Sequence, residues 1–367
     1  MGFNRRPVVA IQFPVVDIET RRKDSMGKAV KRRVTLHDVA REAGVSIATV
    51  SRVINANYYV HPSICVKVKE AINKTGYYPD FIARSLKSSS GFVIGLLVSD
   101  ISNAHFTAMG RAIEDILEDK NYNLIVCSTA GKQARELNYL KMLISKHVDG
   151  LIINTTGKND KFISEQSMEI PTVLIHRRLH TVPFFGDFVD NDNSGGARLL
   201  ARNLFDRGHR KIALISGSLD ISTGEERHNA FIQEAALVGL TVDPEDIFFG
   251  DYSLEGGYSC AKQLFSKGTK STGLVVMNNA MAIGVYAFLR DEGISVPKDI
   301  SVISFGEIQN QSLLYINPTL IDQHPIELGK CAASLILSRI SDRTIASREI
   351  VCETSLILGN STDYYKS

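Results

Sequence analysis

Residues 34–55 restrict how this chain can fold more than any other segment, and they run V-T-L-H-D-V-A-R-E-A-G-V-S-I-A-T-V-S-R-V-I-N. Thr35 with Asp38 three residues later has the spacing of a capping box at a helix start. Gly44 suits a turn that needs a left-handed residue, and Ser46 can cap a second helix. The segment therefore predicts two short helices joined by a glycine turn. The apolar positions that would hold them together are Leu36, Val39, Ala40, Ala43, Val45, Val50 and Val53.

The second predicted helix leaves a free face at its amino-terminal end. In a helix-turn-helix this end of the second helix enters the major groove of DNA. The residues on or near that face are Ile47, Ala48, Thr49, Ser51 and Arg52. The alternative is an ordinary helical hairpin that packs against a core, and the surrounding charge argues against it.

Charge divides the chain into a basic beginning and an acidic remainder. Residues 1–90 carry 16 Lys and Arg against 7 Asp and Glu, a net +9, whereas the remainder carries 26 against 33, a net −7. This asymmetry indicates a polyanionic partner for the basic part alone. Because neutralised phosphates release counterions, binding to such a partner should weaken steeply with salt.

At 367 residues the chain is long enough for two or three domains, and its 44% hydrophobic content supports sizeable cores. No apolar run reaches the roughly 18 residues of a membrane-spanning helix. The apolar segment Pro7–Val16 holds two prolines and lacks a small-residue cleavage site, so we do not expect secretion. The five cysteines include no C-x-x-C pair, which is typical of reduced thiols in a cytoplasmic protein.

A third helix is predicted from Pro62 to Lys74, since proline suits the first helical position and Gly76 can end the helix. Its buried face would consist of Ile64, Val68, Ala71 and Ile72. Pro79 and Asp80 can begin a further short helix, and residues 87–91 (K-S-S-S-G) form a flexible joint. We therefore expect a domain boundary near residue 90.

Beyond this boundary predicted strands and helices alternate, and continuous apolar runs are typical of buried parallel strands. The predicted strands are Phe92–Val98, Asn123–Cys127, Gly150–Asn154, Thr172–His176, Lys211–Ser216, Ile247–Gly250, Gly273–Met277, Ile300–Ser304 and Glu349–Leu356. The predicted helices are His105–Lys120, Gln133–Lys146, Lys161–Met168, Asn193–Asp206, Gly224–Val238, Leu254–Ser266, Ala280–Asp291 and Ile326–Ile340. Two similar βαβ halves predict two doubly wound subdomains, with ligands bound in a cleft beyond the carboxyl ends of the strands.

The chain resembles the LacI/GalR family of transcription regulators over about residues 34–360. The resemblance rests on the helix pair, on G-Y-Y-P-D-F-I-A-R-S-L (76–86) and on D-I-S-N-A-H-F (100–106). It continues in D-N-S-G-G-A (192–197), R-G-H-R-K-I-A (207–213), V-P-K-D-I-S-V-I-S-F (296–305) and P-T-L-I-D-Q (318–323). It implies an α/β fold with an all-α helix-turn-helix head, a hinge helix and two doubly wound parallel-sheet subdomains, like periplasmic sugar-binding proteins. It also implies a homodimer that binds double-stranded operator DNA and responds to a small sugar-like effector.

The domain limits that follow begin with an N-terminal extension, residues 1–33, which we expect to be disordered. The helix-turn-helix domain would span 34–79, and the hinge helix with its linker 80–90. The effector-binding and dimerisation core would span 91–361. Within it the N-subdomain comprises about 91–191 and 325–352, and the C-subdomain about 192–324 and 353–361.

Within the head, the resemblance implies roles for individual residues. Ile47 and Ala48 match the pair that reads base edges, and Arg52 matches a base-contacting arginine whose fork suits guanine. Leu86 matches a leucine that wedges into the minor groove and kinks the duplex, with Ala83 one turn before it. For Leu86 the alternative is a leucine that packs on the core. Positions that match phosphate contacts are Thr35, Ser46, Thr49, Ser51 and Asn55.

For the effector cleft, Arg227 lies in R-H-N-A-F where the family has R-x-x-G-F, and would hold a hydroxyl pair or a carboxylate by bidentate bonds. Asn278 opens N-N-A-M-A-I-G, in which Asn279 replaces an acid. The other residues that the resemblance assigns to the pocket are His105, Phe106, Asn154 and Gln323.

Two departures from the family pattern suggest an anionic effector. The family commonly has an aspartate where this chain has Gly306 followed by Glu307, and His176-Arg177 stands where Asp-Arg is usual. The loss of acids and the gain of His and Arg make the cleft more positive, which favours a sugar acid or a sugar phosphate. The alternative is that Glu307 shifts over and does the work of the missing aspartate.

No sequence motif indicates a catalytic, metal or cofactor site. There is no phosphate-binding loop, no dinucleotide fingerprint after a strand, no nucleophile elbow and no zinc-type His or Cys spacing. We therefore expect no cofactor, no metal ion and no enzymatic activity. Two alternatives remain open: a periplasmic-type sugar-binding protein would need an export signal, and an α/β enzyme would need a catalytic constellation.

Overall fold

A computed structural model describes residues 34–55, 58–77, 91–180, 182–311 and 316–365. The chain divides into two compact units at residues 83 and 84, and each is described by itself. Ala83 and Leu86, which the sequence assigns to a hinge helix, lie outside the described residues, as does the extension 1–33.

The first unit contains three helices, α1 (Leu36–Ala43), α2 (Ile47–Asn55) and α3 (Pro62–Thr75). The Asp38 carboxylate accepts hydrogen bonds from the backbone N–H and the hydroxyl of Thr35, at 2.9 and 2.8 Å. Gly44 and Gly76 end α1 and α3 with φ near +65°, a conformation that costs glycine least. The predicted helix-turn-helix is therefore present.

The three helices of the first unit share one small apolar core. Its buried members are Val39, Ala40, Val50, Val68, Ala71 and Tyr77, and the partly buried ones include Leu36, Ala43, Val45, Val53, Ile64 and Ile72. All the apolar positions predicted for these helices lie in or against this core. The polar side chains of α2 are therefore left outside it.

In the second unit, one six-stranded sheet defines the N-lobe. Its strands are β1 (Val93–Val98), β2 (Asn123–Ser128), β3 (Gly150–Ile153), β4 (Thr172–Ile175), β5 (Asp187–Asn191) and β11 (Glu349–Cys352). They lie in the order β11-β5-β4-β3-β1-β2, and every pair is parallel. Its helices are α4 (Ala104–Glu118), α5 (Gln133–Ser145), α6 (Asp160–Ser167) and α11 (Pro325–Ser341).

A second six-stranded sheet defines the C-lobe. Its strands are β6 (Ile212–Ser216), β7 (Ile247–Phe249), β8 (Gly273–Val276), β9 (Ser301–Phe305), β10 (Thr319–Asp322) and β12 (Ser355–Ile357), in the order β12-β10-β9-β8-β6-β7. Only β12 runs antiparallel to its neighbour among these strands. The helices are α7 (Asn193–Asp206), α8 (Ser222–Val238), α9 (Leu254–Ser266) and α10 (Asn279–Asp291). No helix in the described ranges is long and apolar enough to span a bilayer.

Each sheet is covered on both faces, as in doubly wound folds. In the N-lobe, Leu96 packs in the cluster with α4 and α11, whereas Leu97 packs in the opposite cluster with α5. The C-lobe has the same arrangement, with α9 and α10 on one face and α7 and α8 on the other. Successive side chains of a strand point to opposite faces, which explains why these strands are apolar at nearly every position.

Three strand assignments from the sequence were wrong. The predicted final strand Glu349–Leu356 is two strands, because the chain leaves the N-lobe after Cys352 and enters the C-lobe sheet at Ser355. Strands β5 and β10 were missed, and each ends in polar residues, so neither has the long apolar run of a central strand. The chain crosses between the lobes after β5, after β10 and after β11.

A fully buried carboxylate fastens α11 to the N-lobe sheet. Asp187, the first residue of β5, accepts hydrogen bonds from Arg339 at 2.6 and 2.9 Å and from Arg348 at 2.9 and 3.2 Å. Burial acts to raise the pKa of Asp187, but the hydrogen bonds from the two guanidinium groups outweigh it and hold the pKa below its usual value.

Asp187→Asn should lower the free energy of unfolding by about 3–5 kcal/mol, because two guanidinium groups lose their buried counterion. Urea unfolding of the full chain, monitored by circular dichroism, measures this loss. The matched control is Asp291→Asn in the exposed pair with Arg290, which should cost no more than about 1 kcal/mol. Equal losses in the two variants would contradict the assigned role.

The same carboxylate predicts a pH dependence of stability. Because the folded-state pKa of Asp187 lies below the unfolded value of about 3.9, its contribution is fully present above that value. The contribution is lost as the pH falls through the folded-state pKa. The stability difference between the wild type and Asp187→Asn should therefore shrink below about pH 4.

Candidate functional site

The exposed face of α2 carries the residues predicted to meet DNA. Ser46, Ile47, Ala48 and Arg52 are exposed, because Val50 occupies the buried side of the helix. The Ser46 hydroxyl caps α2 by accepting a hydrogen bond from the backbone N–H of Thr49 at 3.1 Å.

The guanidinium of Arg52 lies 5.6 Å above the ring of Tyr58, an aromatic side chain that is itself exposed. Thr35 is exposed at the start of α1, and Thr49 and Ser51 are half-buried. Asn55 is the last residue of α2, and its side chain lies outside what the structure describes. A short helix end therefore presents a hydroxyl, two apolar groups and a guanidinium to solvent.

A second candidate site is the cleft between the two lobes of the core. Fourteen residues line its cavity, and most lie at or just after the carboxyl ends of strands, where doubly wound sheets bind ligands. They include seven that the sequence assigned: His105, Phe106, Asn154, His176, Arg227, Asn278 and Gln323. The free volume is only about 60 Å³, below the ~300–1,000 Å³ of pockets that hold a small molecule.

Arg227 lies at the centre of this cleft and is 6% exposed. Its guanidinium donates to the side chain of Asn193 at 2.8 Å, to the carbonyl of Met277 at 3.1 Å and to the side chain of Gln323 at 2.9 Å. It stacks on the ring of Phe305 at 3.8 Å. All three acceptors are neutral, and burial lowers the pKa of Arg227 to about 10, so the group stays charged at neutral pH.

Arg177 is a second buried cation of the cavity, and the sequence did not assign it to the site. It donates to the carbonyl of Thr155 at 3.0 Å and lies 5.4 Å from the ring of Tyr252. Burial lowers the pKa of Arg177 and raises the pKa of the Tyr252 hydroxyl. The cleft thus contains two guanidinium groups whose hydrogen-bond acceptors, among the described residues, carry no charge.

A continuous line of four titratable side chains crosses the cleft. The Glu307 carboxylate of the C-lobe lies 2.7 Å from His105 Nδ1 of the N-lobe. His105 Nε2 lies 2.7 Å from His176 Nε2, and His176 Nδ1 lies 3.2 Å from the carboxyl group of Asp190. Asp190 also accepts a hydrogen bond from the side chain of Asn193 at 2.9 Å.

Burial and neighbouring charges shift the pKa values of three members of this line. Burial raises the pKa of Asp190 well above its usual value, and burial together with the charges of His105, Arg227 and Arg177 lowers the pKa of His176 well below its usual value. Burial also acts to raise the pKa of Glu307, but His105 outweighs it and the pKa is lowered. His176 has φ +62°, a backbone conformation that is uncommon outside glycine and that concentrates at functional sites.

Two asparagines make another side-chain contact across the cleft. Asn103 of the N-lobe and Asn279 of the C-lobe exchange a pair of hydrogen bonds, each 3.0 Å long. Asn279 also donates to the backbone carbonyl of Glu307 at 3.0 Å. Asn279 therefore donates two bonds, one to Asn103 and one to the Glu307 carbonyl. A carboxylate at this position could donate neither of them, so asparagine in place of an acid favours a closed cleft.

The remaining predicted residues differ in whether their side-chain oxygens are already hydrogen-bonded and in whether they line the cavity. Asn154 Oδ1 is buried without a hydrogen-bond partner, whereas Asn278 Oδ1 caps α10 through the N–H of Met281. Gly306, at φ +95°, and Glu307 are not in the cavity wall, since the Glu307 carboxylate is turned onto His105. The sequence patterns include Arg177 and Asn279 without assigning them a role in binding, and residues that only the structure brings in are Ser99, Asp100, Asn103, Thr223 and Tyr252.

Comparison with known proteins relates both parts of the chain to described families. A family profile described as "Bacterial regulatory proteins, lacI family" matches residues 35–80. A profile described as "Periplasmic binding protein-like domain" matches residues 201–362.

Curated relatives extend this similarity to nearly the whole chain. The ribose operon repressor of Escherichia coli (strain K12) is 32% identical over 86% of this chain and 96% of its own length. The HTH-type transcriptional repressor PurR of Aliivibrio salmonicida is 33% identical over 84% of this chain and 93% of its own. The crystal structure of the Lac repressor dimer bound to operator and the anti-inducer ONPF shares the fold, with a TM-score of 0.79, 23% identity and coverage of 90% and 100%.

Arg227→Met should lower the free energy of unfolding by about 1–3 kcal/mol for each buried acceptor that it leaves unpaired. Denaturant unfolding of the full chain measures the change. The matched control, Arg290→Met, removes an exposed guanidinium of the same lobe that pairs with exposed Asp291 and should cost about 1 kcal/mol or less. A similar small loss for both variants would show that Arg227 does not hold the cleft together.

Proposed function

This chain belongs to the LacI family of bacterial regulatory proteins, and on that premise we propose that it represses genes of carbohydrate metabolism under the control of a small effector. Residues 34–77 would bind operator DNA, and the cleft between the lobes would bind the effector. The relatives named above are repressors, which supports a regulator without enzymatic activity that acts in the cytoplasm.

One observation carries this proposal. A single chain joins a helix end with an accessible arginine to a two-lobed unit whose polar cleft contains two buried guanidinium groups. A sugar-binding transport protein would need the cleft but not the basic head. An α/β enzyme would need a nucleophile with a base in reach, whereas the cleft residues described above make contacts that suit binding.

We propose a homodimer on the operator, with two heads on opposite halves of a near-palindromic site. Arg52 would read a guanine through its two parallel N–H groups, with Ile47 and Ala48 against neighbouring base edges. Thr35, Ser46, Thr49, Ser51 and Asn55 would hold phosphates and set the register. Leu86, with Ala83, would enter the minor groove.

The effector that suits the cleft best is anionic, such as a sugar acid or a sugar phosphate. Arg177 and Arg227 are buried and hydrogen-bonded only to neutral acceptors among the described residues. A carboxylate or phosphate group would give these cations the charged partner they lack, and charge-assisted hydrogen bonds are the stronger kind.

Operator selection followed by fluorescence anisotropy tests the function as a whole. Full-length protein should bind a selected duplex more tightly than random competitor, and its affinity should fall steeply between about 50 and 200 mM salt. A library of sugars, sugar acids and sugar phosphates should contain a ligand that changes this affinity by roughly 5–150-fold. Equal affinity for selected and random duplexes, with every ligand tried, would remove the proposal.

Arg52→Ala should weaken operator binding by about 1–3 kcal/mol and relax the preference at one base pair, because one bidentate contact is lost. Anisotropy against a set of operators substituted at each position measures both effects. Lys69 is an exposed cation of α3. Lys69→Ala removes the same charge as Arg52→Ala and should leave the base preference unchanged. If Arg52→Ala weakens binding uniformly across the set, Arg52 contacts phosphate and not a base.

A further inference from the structure

The hydrogen bonds along the line Glu307–His105–His176–Asp190 require a fixed number of shared protons. Three heavy-atom contacts, of 2.7, 2.7 and 3.2 Å, each need one proton between their two atoms. Two neutral imidazoles supply two protons, so the line holds one more. With two carboxyl groups, two imidazoles and three shared protons, its net charge is −1.

The third proton could lie on Glu307, on an imidazole ring or on Asp190. The pKa values of Glu307 and His176 are lowered and the pKa of Asp190 is raised, which favours Asp190 as a carboxylic acid with both rings neutral. In that arrangement His105 Nδ1–H donates to the Glu307 carboxylate, so His105 directs a hydrogen-bond donor at an anion.

The charged groups that act on His176 and Asp190 come from the segment after β4 and from α8. Arg177 and Arg227 face His176, while Arg227, Arg178 and Glu226 face Asp190. Arg178 is already paired with Glu349 and lies 4.0 Å from Glu226. Of these cations, Arg177 and Arg227 make their hydrogen bonds to neutral acceptors in the described ranges, and both act on His176, the ring that contacts His105.

Glu307 is the most exposed member of the line. Its second contact is a 3.4 Å approach of the Gln323 backbone N–H, and 22% of its side chain is exposed. It follows Gly306, whose φ of +95° is open to few other residues. By contrast, His176 and Asp190 are almost fully buried.

From this geometry we propose that Glu307 occupies an anion subsite of the cleft, and that the carboxylate or phosphate of the effector displaces it from His105. The inference rests on the proposed effector cleft and specifies its ligand chemistry. The small free volume agrees with it, since the lobes must separate before a sugar-sized molecule can enter, and the Glu307–His105 contact is one of those that join them. Glu307 is thus a competitor of the ligand and not a ligand-binding acid.

Displacement keeps the proton count. The incoming anion accepts the His105 Nδ1–H in place of Glu307, and the contacts from His105 to His176 and on to Asp190 remain. Because the same three protons are shared before and after displacement, affinity for an anion of fixed charge should be nearly independent of pH while the line keeps its third proton. A neutral sugar carries no charge that could replace that of Glu307.

Calorimetry on the full-length protein tests the proposal with D-gluconate and sulfate as anionic probes and D-glucose as the neutral one. Glu307→Gln and Glu307→Ala should bind the anions at least about tenfold more tightly than the wild type, the ratio expected when one charge-assisted competitor is removed. Glu292→Gln, an exposed acid of the same lobe, is the charge-matched control and should equal the wild type. His105→Gln combined with Glu307→Ala should lose the gain.

A gain in affinity cannot come from misfolding, so the outcomes separate cleanly. Anion binding to Glu307→Ala that is equal to or weaker than wild type, or is not measurable, overturns the proposal and makes Glu307 a ligand-binding acid or a purely structural one. A gain that persists in the His105→Gln double variant also overturns it. Operator binding by the same proteins is measured separately, and its absence in the wild type would remove the proposed function while leaving the calorimetric comparison valid.

Discussion

The hydrogen bonds of Arg227 are the interaction on which the core depends. Asn193 follows the first passage of the chain between the lobes, and Gln323 begins the second. Met277 follows strand β8, whose carboxyl end faces the cleft. One buried guanidinium therefore fastens both of these crossing points to the C-lobe sheet. A ligand that changes the hydrogen bonds of Arg227 would therefore act on Asn193 and Gln323, at two of the passages between the lobes.

The closed cleft depends on polar groups of both lobes that satisfy one another. Asn103 and Asn279 exchange two hydrogen bonds, and Glu307 accepts from His105. These groups lose water when they are buried, and each must find a partner in the protein or in a ligand. A ligand that replaces Glu307 would exchange one satisfied contact for another, which allows it to alter the lobe contact without leaving a buried group unpaired.

Much of the fold could be predicted from local patterns in the sequence. Gly44 and Gly76 end helices as expected, because a left-handed residue is required there, and Ser46 caps α2 because its hydroxyl is next to unpaired N–H groups. The apolar runs of β1, β3 and β8 identified central strands. Strands β5 and β10 escaped prediction, since their carboxyl ends carry the polar residues Asp190, Asn191 and Asp322.

The sequence by itself determined the helix-turn-helix, the doubly wound halves and the residue types that gather in the cleft, because caps, turns and apolar periodicity act over a few neighbouring positions. Only the tertiary structure decided that the predicted last strand divides between two sheets and that Tyr252 lines the same cavity as Arg227. It also decided that Glu307 pairs with His105, 202 positions away. Such contacts depend on where the lobes bring distant strand ends together, and no local pattern records that distance.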